Sequence, residues 1–223
     1  MPIATALVLA AVLAEKPITY KQIKIASPKK YEINIAYPEF SSKSPLTTLA
    51  NNITKRYFTI QRQEFEKSAK DFDETPTVPW ELELNGVVSY SSNNVISIFF
   101  DHYEYAGGAH PNGFTHCINV AMIDGKPKAI KLTEILAPGV DLSELIEGHV
   151  KPALNSLKMA RVNEPLTDFP EDSNTHFAIS KNGLTFPFDK YSVGPYVEGE
   201  YIVKLKWSDI PGLINRKIIP EAL

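Results

Sequence analysis

At 223 residues the chain is long enough for one large domain or two small ones, each able to bury a working core. A formal charge of −3 leaves no basic field for nucleic acid and no polybasic stripe for anionic lipid. Hydrophobic residues at 43% and charged residues at 22% exclude disorder and fibrous repeats, and a lone cysteine, Cys117, excludes an internal disulfide.

Residues 1 to 14, MPIATALVLAAVLA, form an apolar run that stops at Glu15 and Lys16. It is shorter than the ~20 residues a membrane-spanning helix needs. It reads as the apolar region of a signal peptide, with Val12 and Ala14 in the small-residue positions before cleavage. The expected mature protein is exported, periplasmic or secreted, and carries no membrane span. Next, Tyr31, Ile33, Ile35 and Tyr37 alternate with Glu32, Asn34 and Ala36, the period of a half-buried strand. Ser44 before Pro45 predicts a helix start, because the hydroxyl can accept an orphan amide and proline needs no donor there. Leu46, Leu49, Ile53, Tyr57 and Ile60 form one stripe, with Phe58, Phe65 and Phe72 beside it, so the helix runs from 45 to about 72.

The prolines of 73–80 end that helix. Residues 81–105 read as two strands with a turn at Ser91–Asn94, and a third runs from Phe114 to Met122, giving an antiparallel meander. Asp141 with Glu144 predicts a second helix start, and Pro152 predicts a kink or restart near Gly148. Strands follow at about 175–180, 184–188 and 200–207. The expected fold class is α+β, with two small antiparallel sheets each covered by a helix. The expected domains are a signal peptide at 1–14, a strand–helix–strand domain at 15–100 and a C-terminal domain at 101–223.

His102, His110 and His116 lie within fifteen residues. A hairpin centred near Ala109 would set His102 opposite His116 and leave His110 at the tip, which argues against a three-histidine metal site and favours a polar cross-strand pair. No G-x-S-x-G elbow and no phosphate-cradling glycine loop occurs, and Cys117 has no neighbouring Lys or Arg to activate it. Glu104, Asp101, Asp189 and Glu198 are carboxylates that could converge only in the fold. Tyr103, Tyr105, Tyr191, Tyr196 and Tyr201 lie near loops of the second half, where tyrosine offers a rigid apolar face with a polar tip. In the run Gly107, Gly108, Ala109, His110, Pro111, the glycines permit positive φ and the proline extends His110, so the loop has one sharp path that sets His110 beside Tyr103 or Tyr105.

The run from Tyr103 to Pro111, YEYAGGAHP, resembles the Y-x-GGAH signature of an exported bacterial family of unknown function of the RsiV/PdaC type. Lys131–Leu136, KLTEIL, and the stretch through Gly183, Leu184, Phe186, Phe188, Tyr191, Pro195, Tyr196 and Gly199 are similar to later parts of the same family. The first half is similar, more loosely, to the small domain that usually precedes it. The resemblance implies a non-catalytic cell-envelope binding protein for peptidoglycan fragments or a lysozyme-like protein. It does not imply deacetylation, because no T-F-D-D-G metal motif occurs in these residues. The expected binding residues are Tyr103, Tyr105, Gly107, Gly108, His110, Tyr191 and Tyr196, with no metal and no cofactor. The competing readings are a wall-modifying hydrolase whose carboxylates assemble in the fold and a structural stress protein without a ligand.

Overall fold

The structure, a computed structural model, describes residues 18–170 and 176–222; the expected leader at 1–14 lies outside them. The chain opens with a hairpin of β1, Ile18–Ser27, and β2, Tyr31–Phe40. Helix α1, Pro45–Asp71, carries the chain to β3, Trp80–Ser91, and the meander continues through β4, Val95–Tyr105, β5, Asn112–Ile123, and β6, Lys126–Ala129. These six strands pair in chain order into one sheet. All neighbours are antiparallel except β2 and β3, which run parallel with Ile33 opposite Leu82, because a 27-residue helix separates them and returns the chain to the same end. The fold class is α+β, and the larger sheet is therefore mixed rather than wholly antiparallel.

Ser44 caps α1 by accepting the Thr47 amide at 3.2 Å, with Pro45 in the first turn. The helix buries Leu46, Ala50, Phe58, Phe65 and Ala69 against Ile33, Ile35, Leu82, Leu84, Ile96, Ile98 and Phe100 of the sheet. Burying each phenylalanine contributes about 1.5–3 kcal/mol. The buried seam follows Phe58 and Phe65, and Ile60 and Phe72 at its margins stay exposed. Gly86 lies opposite Phe100, and a Cβ there would meet the ring at 2.5 Å, so only glycine lets the ring lie flat on the sheet.

The other face of β3–β5 carries Tyr90, Val95 and Ala121 into a second core. That core is completed by a small sheet of β7, Ala178–Ser180, β8, Gly183–Phe188, and β9, Tyr201–Lys206, and by the helices α2, Leu142–Leu145, and α3, Lys151–Val162. Asp141 caps α2 by accepting the Ser143 amide. Between α2 and α3 lies one π-helical turn, Ile146–Val150, at the place where Pro152 removes a backbone donor, so the expected break near Gly148 takes this form. Asn163 ends α3 in the left-handed conformation.

Position 100, the expected domain boundary, falls inside β4, whose ladder continues into β5. Strands β1 and β6 lie outside the predicted set. The β4–β5 register also differs from expectation: its centre is Gly108, so His102 faces Phe114 and His116 faces Phe100. The shift of one residue in the loop centre moves partners by two and keeps both histidines on the α1 side of the sheet.

Candidate functional site

The loop 106–111 joins β4 to β5, with Gly107 and Gly108 at φ of 85° and 97°. Those angles reverse the chain within a short span and are open to glycine at no steric cost. On one side, Gly107 and Gly108 line a cleft of about 320 Å³ with Phe72, Val78, Trp80 and Tyr105. Tyr105 donates its hydroxyl to the Gly108 carbonyl at 3.3 Å and so braces the turn.

On the other side, His110 stacks on Tyr196 with ring centroids 4.0 Å apart and 22° between planes. His110 Nδ1 lies 3.1 Å from the Pro111 carbonyl, which can only accept, so Nδ1 carries the proton. Nε2 is then the acceptor, and the Tyr191 hydroxyl approaches it at 3.5 Å. The Tyr196 hydroxyl also donates to the Pro111 carbonyl, at 3.1 Å, and Lys190 Nζ stands 4.7 Å over the Tyr196 ring. His110 is thus set against Tyr196 and Tyr191 rather than against Tyr103 or Tyr105.

Tyr191 has φ of 70° and is 61% exposed. A bulky residue in the left-handed region is strained, and such strain persists only where the surroundings hold it. Here the turn is closed by Ser192, whose amide and hydroxyl both donate to the Asp189 carbonyl at 3.0 and 2.6 Å. Nearby Val197 is 89% exposed. The result is a rim on which one loop from the large sheet meets the β8–β9 connection and presents stacked rings, a cation and an apolar side chain to solvent.

Asp189 fixes that connection to β5. Thr115 donates its amide and its hydroxyl to Asp189 Oδ1 at 2.9 and 2.8 Å, and the hydroxyl accepts from His176 Nε2 at 2.6 Å. Behind the rim, buried Lys158 on α3 donates to both oxygens of Glu198 at 3.1 and 2.8 Å, and Tyr201 donates to the same carboxylate at 2.6 Å. The Lys158 ammonium, then the Tyr201 hydroxyl, hold the Glu198 carboxyl below its ordinary range. Arg161 lies 4.0 Å over the Tyr201 ring and donates to the Glu198 and Glu200 carbonyls.

The four carboxylates singled out from the sequence go to separate surroundings. Glu198 is in the Lys158 pair, Asp189 on Thr115, Glu104 is 3.5 Å from His102 Nε2, and Asp101 is exposed on the face of β4 away from α1. Cys117 is half-buried, and burial followed by the Asp189 charge pushes its thiol up to about 12, an unreactive setting. Among the described residues no three His, Cys, Asp or Glu cluster as metal ligands, and no helix is long and apolar enough to cross a membrane. Tyr103 stands apart from the rim, beside Glu81 and Glu83; lost hydration and then these charges raise its phenol above 10.0. Lys190, Phe72, Val78 and Trp80 were not among the expected site residues. Trp80 directly after Pro79, and Lys190 directly before Tyr191, were the available signals.

Residues 26–113 match the family model described as Deacetylase PdaC, and residues 133–208 match the one described as Protein of unknown function (DUF3298). The chain is 22% identical over 199 residues to the peptidoglycan-N-acetylmuramic acid deacetylase PdaC of Bacillus subtilis (strain 168), covering 87% of this chain and 41% of that protein. Among solved structures, a DUF3298 family protein from Pseudomonas aeruginosa PAO1 superposes with a TM-score of 0.68 at 18% identity, covering 95% of this chain and 98% of that one. A DUF3298 family member from Bacteroides fragilis NCTC 9343 gives 0.50 at 17% identity, covering 92% and 96%. At these identities the structural likeness concerns the fold alone.

Proposed function

On the premise that the chain is of the PdaC/DUF3298 type, we propose that it is an exported cell-envelope binding protein that takes peptidoglycan fragments on the rim formed by the 106–111 loop and the β8–β9 connection. The observation that carries this reading is the strained, exposed Tyr191 beside the His110–Tyr196 stack. Exposed rings held by a rigid frame suit the apolar faces of sugars and the side chains of wall peptides, and their ordering cost is already met in the fold. The glycines of the loop open the adjacent Trp80 cleft to a ligand backbone or ring. The relative named for peptidoglycan deacetylation supports the ligand class, although this chain spans less than half of that protein's length. Binding rather than hydrolysis is favoured because the carboxylates singled out for acid–base work are dispersed.

Retention on purified peptidoglycan sacculi tests the reading, with lysozyme immobilised in a parallel arm. Wild-type protein should be retained on sacculi, and Tyr191→Ala and His110→Ala should fold normally but pass through. Retention on lysozyme alone would move the ligand class to a wall-acting protein. Equal retention of wild type and both variants on sacculi would remove the rim from the site.

A further inference from the structure

Away from the rim, the face of β1, β2 and the first part of β3 turned away from α1 leaves Gln22, Lys24, Glu83 and Asn85 exposed, and it holds a groove of about 320 Å³. Two ladder rows cross it. Lys24, Asn34 and Glu83 stand side by side in one, continuing to Tyr103 on β4; Gln22, Ala36 and Asn85 stand in the other. Asn and Ala are poor strand formers, and here Asn34, Ala36 and Asn85 sit together in the interiors of the two parallel strands. Threonine, β-branched and polar, suits such positions better.

The carboxamides of Gln22, Asn34 and Asn85 make no hydrogen bond to another described residue, so no contact among the described residues offsets their low strand propensity. A local choice that works against the fold without a compensating contact marks a functional surface. We propose that this groove binds a neutral oligosaccharide. Each carboxamide offers paired donors and an acceptor, the complement of a sugar hydroxyl or acetamido group, which both gives and accepts. Ala36 leaves the depression between Gln22 and Asn85 in which a sugar ring can sit, and the groove volume is at the lower end of small-ligand clefts. Lys24 and Glu83 cancel within the lining, and Glu81 and Asp101 beside it repel polyanions, so the charge pattern selects against nucleic acid and sulfated polymers. Tyr103, next to Glu83, supplies a ring at the groove flank.

This groove goes beyond the rim reading, since it lies on different strands and can fail without it. Calorimetric titration with tetra-N-acetylchitotetraose, a neutral probe, decides it. Wild-type protein should bind at millimolar or lower concentration, and the double variant Asn34→Thr/Asn85→Thr should lose about tenfold or more in affinity. Because threonine suits a strand better than asparagine, that variant should melt at the same temperature as wild type or higher, so lost binding is not lost folding. Measured in a Tyr191→Ala background, which removes the rim's exposed ring, the Asn34→Thr and Asn85→Thr pair should lower the remaining affinity by about the same factor. Absence of wild-type binding, or unchanged affinity in the double variant, overturns the groove. Loss of tetrasaccharide binding in Tyr191→Ala with none in the double variant overturns it too, and leaves the rim standing.

Discussion

His116 should make the protein acid-sensitive by an amount that follows from its position. Its ring stacks on Tyr57 at 4.1 Å between α1 and β5, opposite Phe100. Burial first, then the neighbouring His176 and His102, lower its pKa from 6.5 to about 4. Between those values the unfolded chain binds a proton that the folded chain refuses, so stability is complete above pH 6.5 and drains away as the pH falls towards 4. A gap of about 2.5 pH units corresponds to about 3 kcal/mol, a large part of the 5–15 kcal/mol typical of a domain. His116→Phe keeps an aromatic ring on Tyr57 and removes the titration. Urea unfolding of both proteins at pH 7, 5.5 and 4.5 should show the wild type losing about 2.4 kcal/mol relative to the variant over that range, the rest falling below pH 4.5. Parallel stability curves, or an NMR titration of folded His116 with a midpoint near 6.5, would refute the reasoning.

Three other outcomes are expected. Gly183→Ala would drive a Cβ into the Leu205 carbonyl of β9 and should destabilise the fold by about 3 kcal/mol in urea, because the clash is with backbone. Gly107→Val and Gly108→Val should each cost about 1–3 kcal/mol through their positive φ, whereas exposed His110→Ala should leave the melting temperature nearly unchanged. Glu198→Gln should lower the melting temperature at pH 7; because the folded carboxyl titrates below 4.5, the native charge pair is complete above that pH and lost as the pH falls, so the variant's thermal stability should depend less on pH in the acid range.

Elements with strong periodicity or capping chemistry were legible from sequence. Ser44 and Pro45 placed the start of α1, Asp141 placed α2, and Pro152 placed the break that takes the form of a π turn. Strand β1 was missed because it is an edge strand, largely exposed, with Ile23 and Ile25 as its contribution to the core. The parallel pairing of β2 with β3 was missed because strand patterns carry no direction; direction comes from where α1 delivers the chain. At the candidate site, the GGAHP run stood out as a sharp loop, but the stacking partner of His110 did not. Tyr196 lies 86 residues from His110 in sequence, and the two meet because Asp189 pins the β8–β9 connection to β5 through Thr115. The Lys158–Glu198 pair is illegible for the same reason, since its partners are 40 residues apart on a helix and a loop.

Strands β3, β4 and β5 are a party wall. One side supports α1 through Ile96, Ile98 and Phe100, and the other supports the small sheet through Tyr90, Val95 and Ala121. Residues 114–129, most of β5 and all of β6, fall between the two family matches yet hold buried side chains of both cores. Cutting the chain within β5 ahead of Ile118 would strip apolar lining from both rooms at once and expose it to association. The two halves therefore share one wall, and a piece of the chain that carried only one of them would leave apolar side chains of that wall in water.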